Sequence, residues 1–177
     1  MSNKKFTAGD AFPDISLPKV SGGELTLGQP INGHDWKMVV VYRGRHCPLC
    51  ADYLTQLEKL KENFYKLGVD IVAVSADSEV KANTHVNDLG LSFPVAYDLS
   101  IEQMQKLGLY ISHPKSPEET DRPFAEPGVY VVNEKGTVQV TDISNAPFAR
   151  PDLEYLAQGI EYIRDPENNY PIRGTYR

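Results

Sequence analysis

The sequence predicts an α/β fold, a mixed central sheet flanked by helices, with a β-hairpin extension at its N-terminus. Three observations carry that prediction. Two apolar runs rich in β-branched residues, at 39–42 and 69–74, are joined by a long amphipathic stretch, and strands joined by a helix run parallel. Farther on, residues 128–132 and 137–140 form two more apolar runs around Asn133-Glu134-Lys135-Gly136, the pattern of an antiparallel hairpin. The alternation of strand-like and helix-like segments suits a sheet with helices on both faces.

Taken in order, residues 1–13 read as an irregular lead-in ending in Phe12-Pro13. Residues 14–18 and 24–27 alternate apolar and polar side chains across the Ser21-Gly22-Gly23 turn, which predicts a short hairpin. Residues 28–35 read as loop. Residues 37–42 are nearly all apolar, as in a strand buried on both faces. Leu54, Leu57, Leu60, Phe64 and Leu67 then recur at three- and four-residue steps, and Gly68 follows as a C-cap. Beyond the strand at 69–74, residues 78–89 predict a second helix closed by Gly90. Residues 93–97 predict a short edge segment, because Pro94 cannot donate to a ladder, and 101–107 a short helix ending at Gly108. Residues 110–127 carry Pro114, Pro117, Pro123 and Pro127 without a usable period; a long loop of this kind is often functional. The last helix, 152–163, gathers Leu153, Leu156, Ile160 and Ile163 on one face. One domain over 1–164 and a polar tail over 165–177 are expected, with a subunit contact in a homodimer as an open assignment for the tail.

Composition narrows the function. The chain has 18 basic and 24 acidic residues, a net charge of -6, and no basic stripe interleaved with aromatics, which argues against nucleic acid as a partner. No apolar run approaches the roughly 20 residues that span a bilayer, so no membrane is expected. Lys4 and Lys5 are not followed by an apolar segment of the secretory kind. A reducing, cytoplasmic setting is therefore expected, where a Cys-x-x-Cys pair is more often catalytic than structural.

Both cysteines, Cys47 and Cys50, lie immediately after the 37–42 strand and at the start of the long helical pattern. Residues three apart on a helix share a face roughly 5–6 Å apart, within the Cα separation a disulfide accepts, about 4.4–6.8 Å. Pro48 suits the first helical turn, where its missing N–H has no intrahelical partner anyway. Cys47 then falls at or beside the N-cap, near unpaired amides and the positive end of the helix dipole. Between Trp36 and Ala51 there is no acidic residue, while Lys37, Arg43, Arg45 and His46 form a basic island. A free thiol near pKa 8.5 is only about 3% ionised at pH 7. The dipole alone, about 0.3–1 kcal/mol, is worth less than one pKa unit, so a larger shift needs Arg43, Arg45 or His46. Zinc held by His46, Cys47 and Cys50 is the competing reading, but neighbouring positions 46 and 47 would have to converge on one ion and no second Cys/His pair exists. Neither a metal nor an organic cofactor is expected.

Together, the hairpin at 14–27, the stretch 39–50, the strand at 69–75 and the hairpin at 128–140 resemble a thioredoxin-fold protein of the peroxiredoxin-like branch, within the alkyl hydroperoxide reductase/thiol-specific antioxidant superfamily. The resemblance spans about residues 8–164. The Cys47-Pro48-Leu49-Cys50 motif is also similar to the glutaredoxin site. Two features depart from the peroxiredoxin pattern. The proline and the threonine or serine expected seven and three residues before the reactive cysteine are Val40 and Gly44, and the arginine expected before the late Gly-aromatic strand is Pro127. Arg43, Arg45 and Arg122 are the candidates to replace that arginine. Pro127 matches instead the proline that thioredoxins hold in the cis form facing their dithiol, which implies a cis Glu126–Pro127 bond.

These features predict a thiol–disulfide oxidoreductase in which Cys47 attacks and Cys50 resolves, supported by Arg43, Arg45, His46, Pro48 and Pro127. Its expected partners are a protein disulfide or a peroxide and an external thiol reductant. A thiol-dependent peroxidase acting on hydrogen peroxide or alkyl hydroperoxides is the first alternative, and a non-catalytic redox-sensing module the second. His34, His85 and His113 are expected to be solvated loop residues, Trp36 to pack in the core, and Glu58 to face solvent.

Overall fold

The computed structural model describes residues 6–177; residues 1–5, where the lead-in begins and Lys4 and Lys5 lie, fall outside it. The N-terminal hairpin forms as expected, from β1 (Ser16–Pro18) and β2 (Glu24–Thr26) paired antiparallel. Next come β3 (Trp36–Val41), α1 (Pro48–Lys66) and β4 (Val69–Val74). They are followed by α2 (Glu79–Leu89), the two-residue β5 (Val95–Ala96) and α3 (Ile101–Lys106). The chain closes with β6 (Ile111–Ser112), β7 (Phe124–Ala125), β8 (Gly128–Val132), β9 (Val138–Ile143) and α4 (Leu153–Arg164).

The central sheet has the order β5-β4-β3-β8-β9. β3 runs parallel to β4 and β4 to β5, whereas β8 lies antiparallel to both β3 and β9. Alternation along β3 divides the core. Met38, Val40 and Tyr42 face the layer of α1 and α4, packing with Leu54, Leu57, Phe64 and Ile160. Val39 and Val41 face the opposite layer, with Met104, Leu107, Phe124 and Tyr130. Side chains of a strand alternate between faces, so a strand in the middle of the sheet buries both sets.

Three local expectations change. The loop at 110–127 contains a two-residue ladder, Ile111↔Ala125 and Ser112↔Phe124, too short to leave a periodicity in the sequence. His85 is buried, because with Ala82 three residues earlier it forms the inner face of α2 and its ring lies 5.7 Å from that of Tyr42. Glu58 is not free in solvent: it accepts hydrogen bonds from Lys61 Nζ at 2.6 Å and from the Ser92 amide at 3.0 Å. His113 is exposed, and Trp36 is buried with its indole N–H donating to Glu134. The tail folds back on its own chain: Arg177 pairs with Asp10 at 3.1 Å and Tyr170 packs edge-on to Tyr162. No helix among the described residues is long and apolar enough to cross a membrane.

Candidate active site

β3 delivers the site. The strand pairing ends as the Tyr42 amide donates to Val74 O at 3.1 Å, and the chain then turns through residues 43–46 into α1. Cys47 is the N-cap residue of α1, with extended backbone angles (φ -107, ψ 105), and Pro48 opens the first turn. Its sulfur takes the place usually held by a Ser or Asp oxygen, accepting the Cys50 N–H at 3.2 Å. Both cysteines are free thiols and buried, Cys47 1% exposed and Cys50 0%.

Electrostatics divide the two sulfurs. The Cys50 thiol donates a hydrogen bond to Cys47, and this is the largest influence on it; burial pushes the other way, and the Cys50 amide and the Arg43 guanidinium complete the set. The outcome pulls the Cys47 thiol down to about 6. Cys50 moves up, held protonated first by its bond to Cys47 and then by burial. A hydrogen-bonded dithiol shares its first proton loss between two sites, and here that loss belongs to Cys47. The pair can present one thiolate and one thiol at neutral pH.

The basic island resolves into distinct positions. Arg43 lies within hydrogen-bonding reach of the Cys47 sulfur. Its Nε donates to both Glu126 oxygens at 3.0 Å, and its guanidinium covers the Phe124 ring at 4.8 Å. Arg45 turns outward and pairs with Asp88 at 3.7 Å. Arg122 is engaged with Asp98 and the Ala76 carbonyl. His46 packs edge-on to Phe124 at 4.6 Å; burial, then the charge of Arg43, lowers its pKa, so it is a neutral imidazole near pH 7 rather than a second cation.

Pro127 is buried at the entrance to β8, but the expected cis bond is not found: no peptide bond among the described residues is cis. The trans form is the intrinsic preference of an X–Pro bond by about 0.5–1 kcal/mol. Hydrogen bonds on either side, from the Glu126 amide to Tyr110 O and from the Ser144 amide to Pro127 O, carry the chain through this position in that form.

Three participants escape sequence reasoning. Glu126 is buried and anchors Arg43, while Ser112 Oγ donates to its Oε1 at 3.1 Å. A lone carboxylate inside the apolar run Phe124-Ala125-Glu126-Pro127-Gly128-Val129 is the signal that could have found it. Asp77, just past the carboxyl end of β4, accepts the Arg45 amide at 2.8 Å, and burial pushes its carboxyl up. It also explains Gly44. That residue has φ +142, and a Cβ there would stand 2.7 Å from Asp77 Oδ1 and 3.0 Å from His46 Nδ1. Among the described residues no cluster of three or more His, Cys, Asp or Glu is arranged to hold a metal ion.

A dithiol at the N-terminus of a helix, delivered by the middle strand of a mixed sheet, defines a thioredoxin-like redox fold. Comparison with known proteins gives the family: the sequence pattern of the AhpC/TSA family matches residues 8–141, and the chain belongs to that family. Among solved structures, a peroxiredoxin-like protein from Aquifex aeolicus superposes with a TM-score of 0.74 at 15% identity, covering 91% of this chain and 90% of that one. AhpC of Mycobacterium bovis gives 0.72 at 18% identity, covering 98% and 99%. Among curated relatives, a peroxiredoxin of Hyperthermus butylicus is 28% identical over 137 residues, 74% of this chain and 55% of the relative. The thiol-disulfide oxidoreductase ResA of Oceanobacillus iheyensis is 27% identical over 110 residues, 60% of this chain and 57% of the relative. The chain thus spans somewhat more than half the length of these curated relatives.

Proposed function

We propose that this protein is a thiol–disulfide oxidoreductase in which Cys47 is the nucleophile and Cys50 the resolving thiol. The observation that carries the reading is the Cys47 sulfur, bonded to the Cys50 amide at 3.2 Å and flanked by Arg43. The Cys47 thiolate attacks one sulfur of a substrate disulfide; that S–S bond breaks, and the departing thiolate takes a proton. Cys50, deprotonated as it attacks, then displaces the second substrate sulfur and forms the Cys47–Cys50 disulfide. The substrate gains two electrons, and an external thiol returns two to the protein. Pro48 fixes the turn that presents Cys47, and Arg43 and Glu126 set the charge around it, with the neutral His46 next to it in the chain. A reducing compartment such as the cytoplasm suits this cycle.

A second reading, a peroxidase that reduces hydrogen peroxide or alkyl hydroperoxides, is favoured by the family and by a guanidinium at the reactive sulfur. Gly44 weighs against it, since it offers no hydroxyl and the Asp77 carboxylate fills the space. Insulin-disulfide reduction driven by dithiothreitol separates the two. The expected result is reduction that Cys47→Ser abolishes and Cys50→Ser stalls as a mixed disulfide. Rapid peroxide consumption with insulin left untouched selects the peroxidase, and inertness toward both selects a redox-sensing module.

A further inference from the structure

Each cysteine of the pair has its own arginine. Arg43 reaches Cys47 from the turn before α1, and the groups that act on the Cys47 sulfur are Cys50 and Arg43. Arg150 acts on Cys50 from the loop at 144–152, which joins β9 to α4. Two hydrogen bonds fix that loop: the Ser144 amide donates to Pro127 O at 3.1 Å, and the Tyr53 hydroxyl to Pro151 O at 2.8 Å. Tyr53 stands three residues after Cys50 on α1, so the two share a face of the helix. The Arg150 guanidinium lies over the Tyr53 ring, 4.5 Å from its centre.

This cation is incompletely satisfied. Its Nη1 is enclosed, yet no acceptor among the described residues bonds it. Buried donors are nearly always paired, and a guanidinium cannot shed its proton to escape the cost. The nearby carboxylates, Asp142 and Asp152, leave Nη1 unbonded; Asp152 caps α4 by accepting the Tyr155 amide at 2.8 Å. Tyr53 offers only the face of its ring, because its hydroxyl is committed to Pro151. The negative charge that can still arise beside this guanidinium is a thiolate at Cys50.

In the reduced protein Cys50 is held protonated, first by its hydrogen bond to Cys47, then by burial and by the Cys47 charge; the Arg150 charge and a backbone hydrogen bond at Arg43 act the opposite way. The balance changes once Cys47 is bonded to a substrate sulfur. A disulfide sulfur carries no charge, so the hold of the Cys47 thiolate on the Cys50 proton is released. Burial then remains on one side and Arg150 on the other. The further titratable groups around Cys50 do not take that part. Tyr42, at the end of β3, is kept neutral by burial, and the Arg43 side chain is engaged by Glu126.

We propose that Arg150 readies Cys50 for the resolving step, stabilising its thiolate once Cys47 has entered a mixed disulfide. The inference rests on the dithiol reading above and adds a residue to its second step. Cys50 gives its proton to solvent, and its thiolate attacks Cys47 Sγ. The bond from Cys47 to the substrate sulfur breaks, and the substrate leaves as a thiolate that takes a proton from solvent. The Cys47–Cys50 bond forms; over the two steps the protein dithiol is oxidised and the substrate disulfide reduced. The order of ionisation is thus built into the site, with Arg43 serving Cys47 first and Arg150 serving Cys50 second.

The aromatic disulfide dithiobis(nitrobenzoate) separates the two steps, because each releases one coloured thiolate. The first release reports attack by Cys47, and the second reports resolution of the mixed disulfide by Cys50. In rapid mixing with the reduced protein, Arg150→Met is expected to slow the second release about tenfold at pH 7 and to raise its pH midpoint by about one unit. The first release should be unchanged. Arg150→Lys should restore most of the lost rate, because a cation stays in place. Tyr53→Leu removes the ring beneath the guanidinium and the bond to Pro151, and should slow the second release without altering a charge. A second release that keeps its rate and midpoint in both Arg150→Met and Tyr53→Leu overturns the proposal. So does equal slowing of the two releases at every pH, which marks a merely structural role, or Arg150→Lys no faster than Arg150→Met. Absence of two successive releases in the unaltered protein overturns instead the dithiol reading beneath it.

Discussion

Arg43, although it also holds Glu126, is the guanidinium whose charge acts on Cys47; Arg45 and Arg122 pair instead with Asp88 and Asp98. An opposite charge within hydrogen-bonding distance shifts an ionisation by about one unit or more. Arg43→Ala is therefore expected to raise the Cys47 pKa by about one unit, read from the ultraviolet absorbance of the thiolate. Arg43→Lys should recover only part of this, since an ammonium lacks the planar fork that grips Glu126 and reaches the sulfur together. An unchanged titration in Arg43→Ala would mean that the helix N-terminus and Cys50 do the work alone. Gly44 is a second residue with a clear prediction. Threonine at this position, the residue type of the peroxiredoxin pattern, meets Asp77 and a backbone angle that L residues rarely adopt. Gly44→Thr should cost about 1–3 kcal/mol in urea unfolding, and an unshifted midpoint contradicts that account.

At the scale of elements, the pairing of β3 with β4 contains a buried ion pair. Lys37 stands opposite Asp70 in the parallel register, and Nζ lies 2.8 Å from Oδ2 with both side chains almost fully enclosed. Asp70 also accepts the Ile31 amide at 3.0 Å, which fastens the loop before β3 to the strand beside it. Breaking such a pair from one side leaves an uncompensated buried charge and typically costs about 3–5 kcal/mol. Lys37→Ala should lose that much by denaturant unfolding. Lys37→Met combined with Asp70→Asn should lose less, because no charge is stranded; equal losses in the two variants would contradict this. The sequence placed both residues in strands and gave no hint that they meet, since pairing register is decided by packing on both faces of the sheet.

For the molecule as a whole, local patterns announced most of the architecture. The helical recurrence from Leu54 to Leu67, the β-branched runs at β3 and β4, and the turn at Asn133-Glu134-Lys135-Gly136 each encode their element within a few residues. The Cys-Pro-x-Cys motif located the reactive pair in the same way. What the sequence did not disclose comes from afar: Glu126 reaches Arg43 across 83 positions and Asp77 reaches Arg45 across 32. The two-residue ladder of β6 and β7 brings Ser112 to Glu126, and the trans form of the Glu126–Pro127 bond likewise belongs to the assembled loop. The ionisation of one sulfur draws on all of these parts together. Its rate of alkylation by iodoacetamide across pH, with Cys50→Ala as a parallel sample and Cys47→Ser as the blank, is the most direct test. The account predicts that Cys47 labelling in the intact dithiol rises through a midpoint at about 6 and is level by neutrality. Its thiolate fraction, and with it the rate, should fall as pH drops below that midpoint. In Cys50→Ala the midpoint should move upward, because the side-chain donor at position 50 is gone. A midpoint at or above the roughly 8.5 of a free cysteine would contradict the account.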